Sequence, residues 1–476
     1  MRWVAPLLLS MIAAGCSLAP HYERPSVEAA PAAYRETAEW KVATPSDSQP
    51  RGRWWTAFGD PSLDTLESRV TTANQDLRAA LARLQQARAQ TRIARAGYFP
   101  TLGADANARR SKISENGPSF VAGKSLFGDD FDVGGTLSYE FDLFGRVRNT
   151  VAGARAGEQA TAGDLAVLDL SVRAELASDY FALRGLDSQQ QLLDRTVADY
   201  TKALQLTRNL YQGGAAALAD VQQATAQLET ARAQADDTRL RRAQTEHAVA
   251  VLVGASPSNF HLDPVPLASG IAPPAIDPGL PSQLLERRPD VAAAERRVAS
   301  ANAAIGVARA AYFPLFSLAA AMGLESVASS NWTQAPSRYW SVGPQGVLTI
   351  FDAGAHQAQS AAAHAAYDEQ VANYRRTVLV AFQEVEDNIA ALRELERESV
   401  SQAAAVAATQ GALDQANFRY KGGIVTYLEV VSTENAALAA RLAQVDVQTR
   451  RIAAAVQLVK ALGGDWSVDG GPGRSP

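Results

Sequence analysis

Residues able to do chemistry are scarce in this chain. Its single cysteine, Cys16, excludes a disulfide or a thiolate metal site within the chain. Five histidines (21, 247, 261, 356 and 364) lie scattered. His356 and His364 stand eight apart, but no HExxH or comparable ligand spacing occurs, so the histidines read as isolated surface residues and no metal is expected. There is no GxSxG, no Walker loop and no GxGxxG opening a helix after a strand. The net charge is −5 with both signs interspersed, so no basic field exists to hold nucleic acid. No catalytic constellation appears, and a non-enzyme without a diffusible cofactor is expected.

Proline is missing from three long windows, between Pro61 and Pro100, Pro118 and Pro257, and Pro344 and Pro472. Proline breaks helix interiors, so these are where long helices are allowed. In the first window Leu66, Val70, Ala73, Leu77, Leu81 (with Ala80), Leu84 and Ala87 follow steps of three and four. In the second, Val172, Leu176, Tyr180, Leu183, Leu186, Leu193, Val197, Tyr200, Leu204 and Tyr211 keep the same rhythm. That spacing is a coiled-coil seam. Alanine is abundant at 358–366 and 403–408, and small residues let helices approach closely.

What is present comes twice. Arg95-Ala-Gly-Tyr98-Phe99-Pro100 returns as Arg309-Ala-Ala-Tyr312-Phe313-Pro314, 214 residues on (98 to 312). Phe141-Asp142 returns as Phe351-Asp352 (offset 210), and Tyr211-Gln-Gly213-Gly214 with Asp220 returns as Tyr420-Lys-Gly422-Gly423 with Glu429 (offset 209). Three landmarks in one order at near-constant spacing mark a duplicated unit. Repeat one covers 53–257 and repeat two 281–466, with a linker at 258–280 and a flexible C-terminus at 467–476.

Within each repeat the helical path from 145 to 211, or from 353 to 420, runs into a Gly-Gly pair; a further helix follows, about 218–252 or 427–462. One unbroken helix of that length reaches roughly 100 Å. The reading is two very long helical hairpins with tips near 211–220 and 420–430, where glycine supplies the left-handed turn. Between Tyr-Phe-Pro and Phe-Asp the period falls to two. Leu102, Ala104, Ala106 and Ala108 alternate with Gly103, Asp105, Asn107 and Arg109, and Val133, Gly135, Leu137, Tyr139 and Phe141 alternate with polar or small residues. Strands are expected at about 101–115, 131–143, 315–328 and 339–351, with Pro344 marking a bulge or bend in the last. Strands of about ten residues suit a membrane. Four cannot close a membrane barrel, whose smallest examples have about eight strands, and open edges are not tolerated in lipid. If they span, the barrel must be shared between chains. Two ordinary soluble hairpins packed on helices are the other reading.

At the N-terminus, residues 1–15 form a secretory signal: Arg2, then Leu7, Leu8, Leu9, Met11 and Ile12, then Ala13-Ala14-Gly15. Cys16 is either a chance residue of a discarded signal or the acceptor of a covalent lipid. Ala13-Ala14-Gly15-Cys16 resembles the bacterial lipobox, with Ala13 where that pattern usually has Leu, and Ser17 resembles an outer-membrane sorting residue. Residues 16–52 then form a lipidated linker rich in Pro, Ala and Ser.

The whole mature chain resembles the TolC-like outer-membrane channel lipoproteins of tripartite efflux pumps, of the OprM/NodT type. The residues carrying this are Leu18-Ala19-Pro20 and Tyr22-x-Arg24-Pro25 behind the lipobox; Trp54-Trp55 with Phe58-x-Asp60-Pro61-x-Leu63; Asn74-x-Asp76-Leu77; Arg287-Arg288-Pro289-Asp290-Val291 with Ala293-x-Glu295; both Tyr-Phe-Pro motifs; and Leu458-x-Lys460-Ala461-Leu462-Gly463-Gly464-x-Trp466.

The resemblance implies an α+β, internally duplicated fold, with a periplasmic α-barrel and four strands per chain in a trimeric outer-membrane β-barrel. It implies a passive exit channel for small molecules, located in the outer membrane with a long periplasmic extension. Its partners would be two further copies, a periplasmic adaptor, an inner-membrane RND-type transporter and membrane lipid. Loops around 116–129 and 329–338 would face outside. The glycine tips (Gly213, Gly214, Gly422 and Gly423) would be the periplasmic ends. A gate there would involve Leu428 as an apolar constriction with Tyr427, Glu429 and Asp220. Family members often carry aspartate where this chain has Ser432, and the first repeat has Gln223 there. The carboxylates therefore read either as a cation-binding gate ring or as helix-start charges favoured by the helix dipole. A periplasmic adaptor or a lipid-anchored coiled-coil protein is the alternative function.

Overall fold

A computed structural model describes residues 17–26, 35, 51–118, 121–267, 273–274, 276 and 288–464. The signal, Cys16, most of the expected linker at 16–52, part of that at 258–280, Arg287, Trp466 and the C-terminus therefore lie outside the described residues.

The helices are α1 (Pro61–Ala73), α2 (Gln75–Ala96), α3 (Arg146–Gln212), α4 (Leu218–Leu252), α5 (Pro289–Ala310), α6 (Ala355–Lys421) and α7 (Tyr427–Ala461). α3 and α6 are both 67 residues long, and α4 and α7 are both 35. No described helix is long and apolar enough to cross a membrane.

The first helical window holds two helices rather than one. Asp60 caps α1, its Oδ1 accepting from the backbone N–H of Ser62 and Leu63, and Pro61 fits the first turn. The chain then turns extended at Asn74. The Asn74 carboxamide accepts from the Leu77 N–H, which starts α2, and donates to the Leu252 carbonyl at 2.9 Å. A single asparagine thus ends one helix, caps the next and ties both to the end of α4. Beside it Gly254 adopts φ +67°, and a Cβ there would sit 2.3 Å from the Ala73 carbonyl oxygen. The break also rotates the seam: Leu77 and Ala80 are buried while Leu81 is 45% exposed.

The chain divides into two compact units that cut across the repeats: 1–26, 83–161 and 293–374 in one, 27–82, 162–292 and 375–476 in the other. The first unit holds one antiparallel sheet in the order β1-β2-β3-β4. β1 is Thr101–Lys112, β2 Phe127–Phe141, β3 Leu315–Ser326 and β4 Arg338–Val347. The central pairing, β2 with β3, joins the two repeats. Three boundaries differ most from the expected spans, while β2 and β3 each end two residues early. β1 stops before 113–115, β2 starts four residues early because Phe127–Asp130 pair with Arg109–Lys112, and β4 ends at Val347, leaving Leu348–Phe351 outside the sheet. No bulge forms at Pro344. The register runs unbroken from Leu324↔Arg338 to Leu315↔Val347, with Leu318 opposite Pro344. β4 is an edge of the sheet within one chain.

The second unit is helical. One core gathers Trp55, Leu63, Leu66 and Val70 with Tyr180, Phe181, Val249, Ile452 and Val456. A second core lies at the hairpin tips. Part of the inter-repeat linker is held as well. Asp187 of α3 accepts from Arg242 Nε at 2.7 Å and from the Val265 N–H at 3.0 Å, while Glu246 accepts from the Leu262 N–H at 2.6 Å.

Candidate functional site: the paired tips

Both tips are built alike in the backbone. In the first, Gly213 N–H donates to Asn209, Gly214 to Tyr211 and Ala215 to Leu210. In the second, Gly422 donates to Phe418, Gly423 to Tyr420 and Ile424 to Arg419. The six-residue bond in each satisfies a carbonyl left orphaned at the helix end, and it requires a left-handed residue. Gly214 (φ +73°) and Gly423 (φ +70°) supply it, whereas Gly213 and Gly422 do not need positive φ.

The side chains differ. Asp220 stands at the third position of α4 and accepts from the Ala217 N–H at 3.1 Å, so it caps its own helix. Glu429, its counterpart in α7, accepts instead from Arg419 Nη1 at 2.9 Å, across the hairpin. Arg419 occupies the position of Leu210 in the first repeat, so the first tip has no guanidinium at the matching position. Tyr427 is buried at 6% exposure, while its counterpart Leu218 is 52% exposed. Leu428 stands out from the tip at 63% exposure.

Tyr427 belongs to a core contributed by four helices: Tyr200 and Leu204 of α3, Ala224, Leu228 and Ala231 of α4, Ala416 of α6, and Tyr427, Val430 and Val431 of α7. The Tyr420 and Tyr427 rings meet at 5.6 Å between centroids. Gln227 of α4 donates to Asn435 of α7 at 2.7 Å. Burial, then the nearby Glu434, pushes the Tyr427 hydroxyl up to about 12. Glu434 itself was not singled out by the sequence. Burial and the Asp199 charge raise it to about 7, and its Oε2 is buried with no hydrogen-bond partner among the described residues. In the sequence it sits in Ser-Thr-Glu-Asn, indistinguishable from a solvated helix face.

Cys16 lies outside the described residues, but the segment after it is held in place. Ser17 Oγ donates to Asn149 Oδ1 at 3.0 Å, Asn302 donates to the Pro20 carbonyl at 2.9 Å, and Tyr22 Oη donates to Glu295. Among the described residues no group of three or more His, Cys, Asp or Glu could hold a metal ion.

The model of a family described as outer membrane efflux protein matches residues 66–255 and 280–464. The chain is 32% identical over 467 residues to outer membrane protein OprJ of Pseudomonas aeruginosa, covering 97% of this chain and 96% of that one. It is 30% identical over 461 residues to the cation efflux system protein CusC of Escherichia coli O6:H1, covering 97% and 98%. The solved structure of the outer-membrane channel OprN aligns with a TM-score of 0.85 at 31% identity, over 94% of this chain and 99% of that one.

Proposed function

The chain belongs to the outer membrane efflux protein family, and we propose that three copies of it close one twelve-stranded barrel. It is an outer-membrane efflux channel of a tripartite system, with its helices in the periplasm. The observation that carries the shared barrel is the sheet itself. Its four strands leave β1 and β4 as edges, each of membrane length. Lipid offers nothing to hydrogen-bond, so an edge there must be paired. The β4 edge of one copy meeting the β1 edge of the next satisfies both and repeats until the ring closes.

Transport through the channel is passive, driven by an inner-membrane RND-type transporter reached through a periplasmic adaptor docked at the tips. The chain catalyses no reaction and binds no diffusible cofactor; Cys16 carries a covalent lipid. The tips form the periplasmic gate, with Leu428 as its exposed apolar element beside Tyr427, and with Glu429 and Asp220 as its acids. What supports this placement is an apolar side chain left 63% exposed at the end of the second hairpin, beside the exposed Ile424.

Engineered cysteines test the closure. In a Cys16→Ser background no other thiol exists. Ala106→Cys in β1 together with Val342→Cys in β4 is expected to oxidise into cross-linked dimers and trimers. Cross-linking no greater than for either single variant would contradict a β4-to-β1 seam.

A further inference from the structure

A basic cavity lies under the strands in the first unit. It has a volume of about 620 Å³ and is walled by Arg88, Arg92 and Arg95 of α2 and by Arg155 and Glu158 of α3. Thr91 fixes the two walls: it is buried, and its hydroxyl bonds the Ala87 carbonyl of its own helix and, at 3.3 Å, the Ala154 carbonyl of α3. Glu158 approaches Arg88 at 3.8 Å. Among the described residues no carboxylate pairs with Arg92, Arg95 or Arg155. The three arginines of α2 are spaced four and three apart, so they share one stripe and repel one another; such like-charge spacing weakens a helix. Arg155 adds a fourth guanidinium from the facing wall. The cavity therefore carries an excess of positive charge that the described chain does not neutralise.

Its position says what could. Arg95 lies in the last turn of α2, six residues before β1 begins at Thr101. Arg88 and Arg155 are eight and nine residues from the strand-side ends of their helices, roughly 12–14 Å at helical rise. With the strands in the outer membrane, the cavity opens at the depth of the periplasmic leaflet's headgroups or just beneath. Guanidinium forks match phosphate oxygens two at a time, and basic pockets between helices at a membrane surface hold lipid headgroups.

We propose that Arg88, Arg92, Arg95 and Arg155 form a binding site for a phosphate-type oxyanion, supplied by a membrane phospholipid headgroup or by a free phosphate ester. The site rests on the strands spanning the membrane for the lipid source only; the charge and the cavity stand without it.

The test uses the full-length protein and a triple variant, Arg92→Gln, Arg95→Gln and Arg155→Gln, which keeps side-chain length and helix propensity. One arm reconstitutes both proteins into nanodiscs of phosphatidylethanolamine with and without phosphatidylglycerol, and measures by native mass spectrometry the phospholipid retained on extraction. The other titrates inorganic phosphate into lipid-free detergent samples. The wild type is expected to retain lipid, or to bind phosphate, at least about tenfold better than the variant, the size of one lost charge-assisted hydrogen bond. A difference in the lipid arm assigns the headgroup; a difference confined to the phosphate arm assigns the free anion. Equal retention and equal titration would overturn the proposal. The wild type alone gives a second reading: phosphate or phosphatidylglycerol should slow phenylglyoxal modification of Arg92, Arg95 and Arg155 relative to the exposed Arg232, and uniform rates would overturn it even if the variant failed to fold.

Discussion

The two hairpin tips share a backbone and differ in what that backbone carries. Gly214 and Gly423 turn the chain with the same bonds. Yet the first tip presents an exposed Leu218 and an acid folded back on its own helix, while the second buries Tyr427 and clamps its acid with Arg419. Duplication thus preserved the turn and left the packing to diverge. Both hairpins contribute to the four-helix core, but only the second brings the first residue of its returning helix, Tyr427, into it. If the tips move in gating, the first is the freer to do so.

The largest effect should come from the buried ring. Tyr427→Ala is expected to lower local stability at the tip by roughly 3 kcal/mol, as for other buried aromatics, while Leu218→Ala changes it by less than about 0.5 kcal/mol. Hydrogen exchange of tip amides reads both, and equal losses would erase the contrast.

Next comes pH. The folded Glu434 is raised to about 7 from an ordinary 4.5, so the packed core favours its protonated form. The contribution is fully present below about 4.5 and is lost as pH rises through about 7. Protection of the second tip should therefore fall between those values in the wild type and stay flat in Glu434→Gln. A profile unchanged by that substitution would assign the dependence elsewhere.

Smaller again is Asp220→Ala, which removes a helix-start acceptor at a cost of about 1 kcal/mol to the first turn of α4, seen as faster exchange at Ala217 and its neighbours. Smallest in stability is Arg419→Leu, which gives the second tip the residue of the first. An exposed ion pair contributes less than about 1 kcal/mol. Freeing Glu429 should nonetheless raise cation selectivity in planar bilayers. Selectivity unchanged there, and in Glu429→Gln, would remove Glu429 from the gate.

The fold was legible where its signals are local. Proline-free windows and three-and-four spacing pointed to long helices, and glycine pairs pointed to their ends, because backbone sterics act over a few residues. The four-stranded count followed from period two. Less legible was anything decided by a distant partner. Asn74 breaks a continuous seam because Leu252, far along the chain, takes its amide. Pro344 sits without a bulge in an unbroken register opposite Leu318, a pairing its own strand's pattern does not show. Arg419 looks like any surface arginine until the hairpin folds Glu429 against it. Glu434 reads as solvated because one helix's pattern does not say how many neighbours cover it. The basic cavity is hidden for the same reason, since Arg155 meets the α2 stripe only through tertiary packing.

The shared barrel is tested most directly by counting chains in the detergent-extracted outer-membrane particle, with Cys16→Ser run beside the wild type. Three chains per particle in both, with the variant lacking only the mass of its lipid, is the result predicted. A single chain that leaves the membrane once Cys16 is replaced would mean that the strands do not span lipid, and would contradict the account.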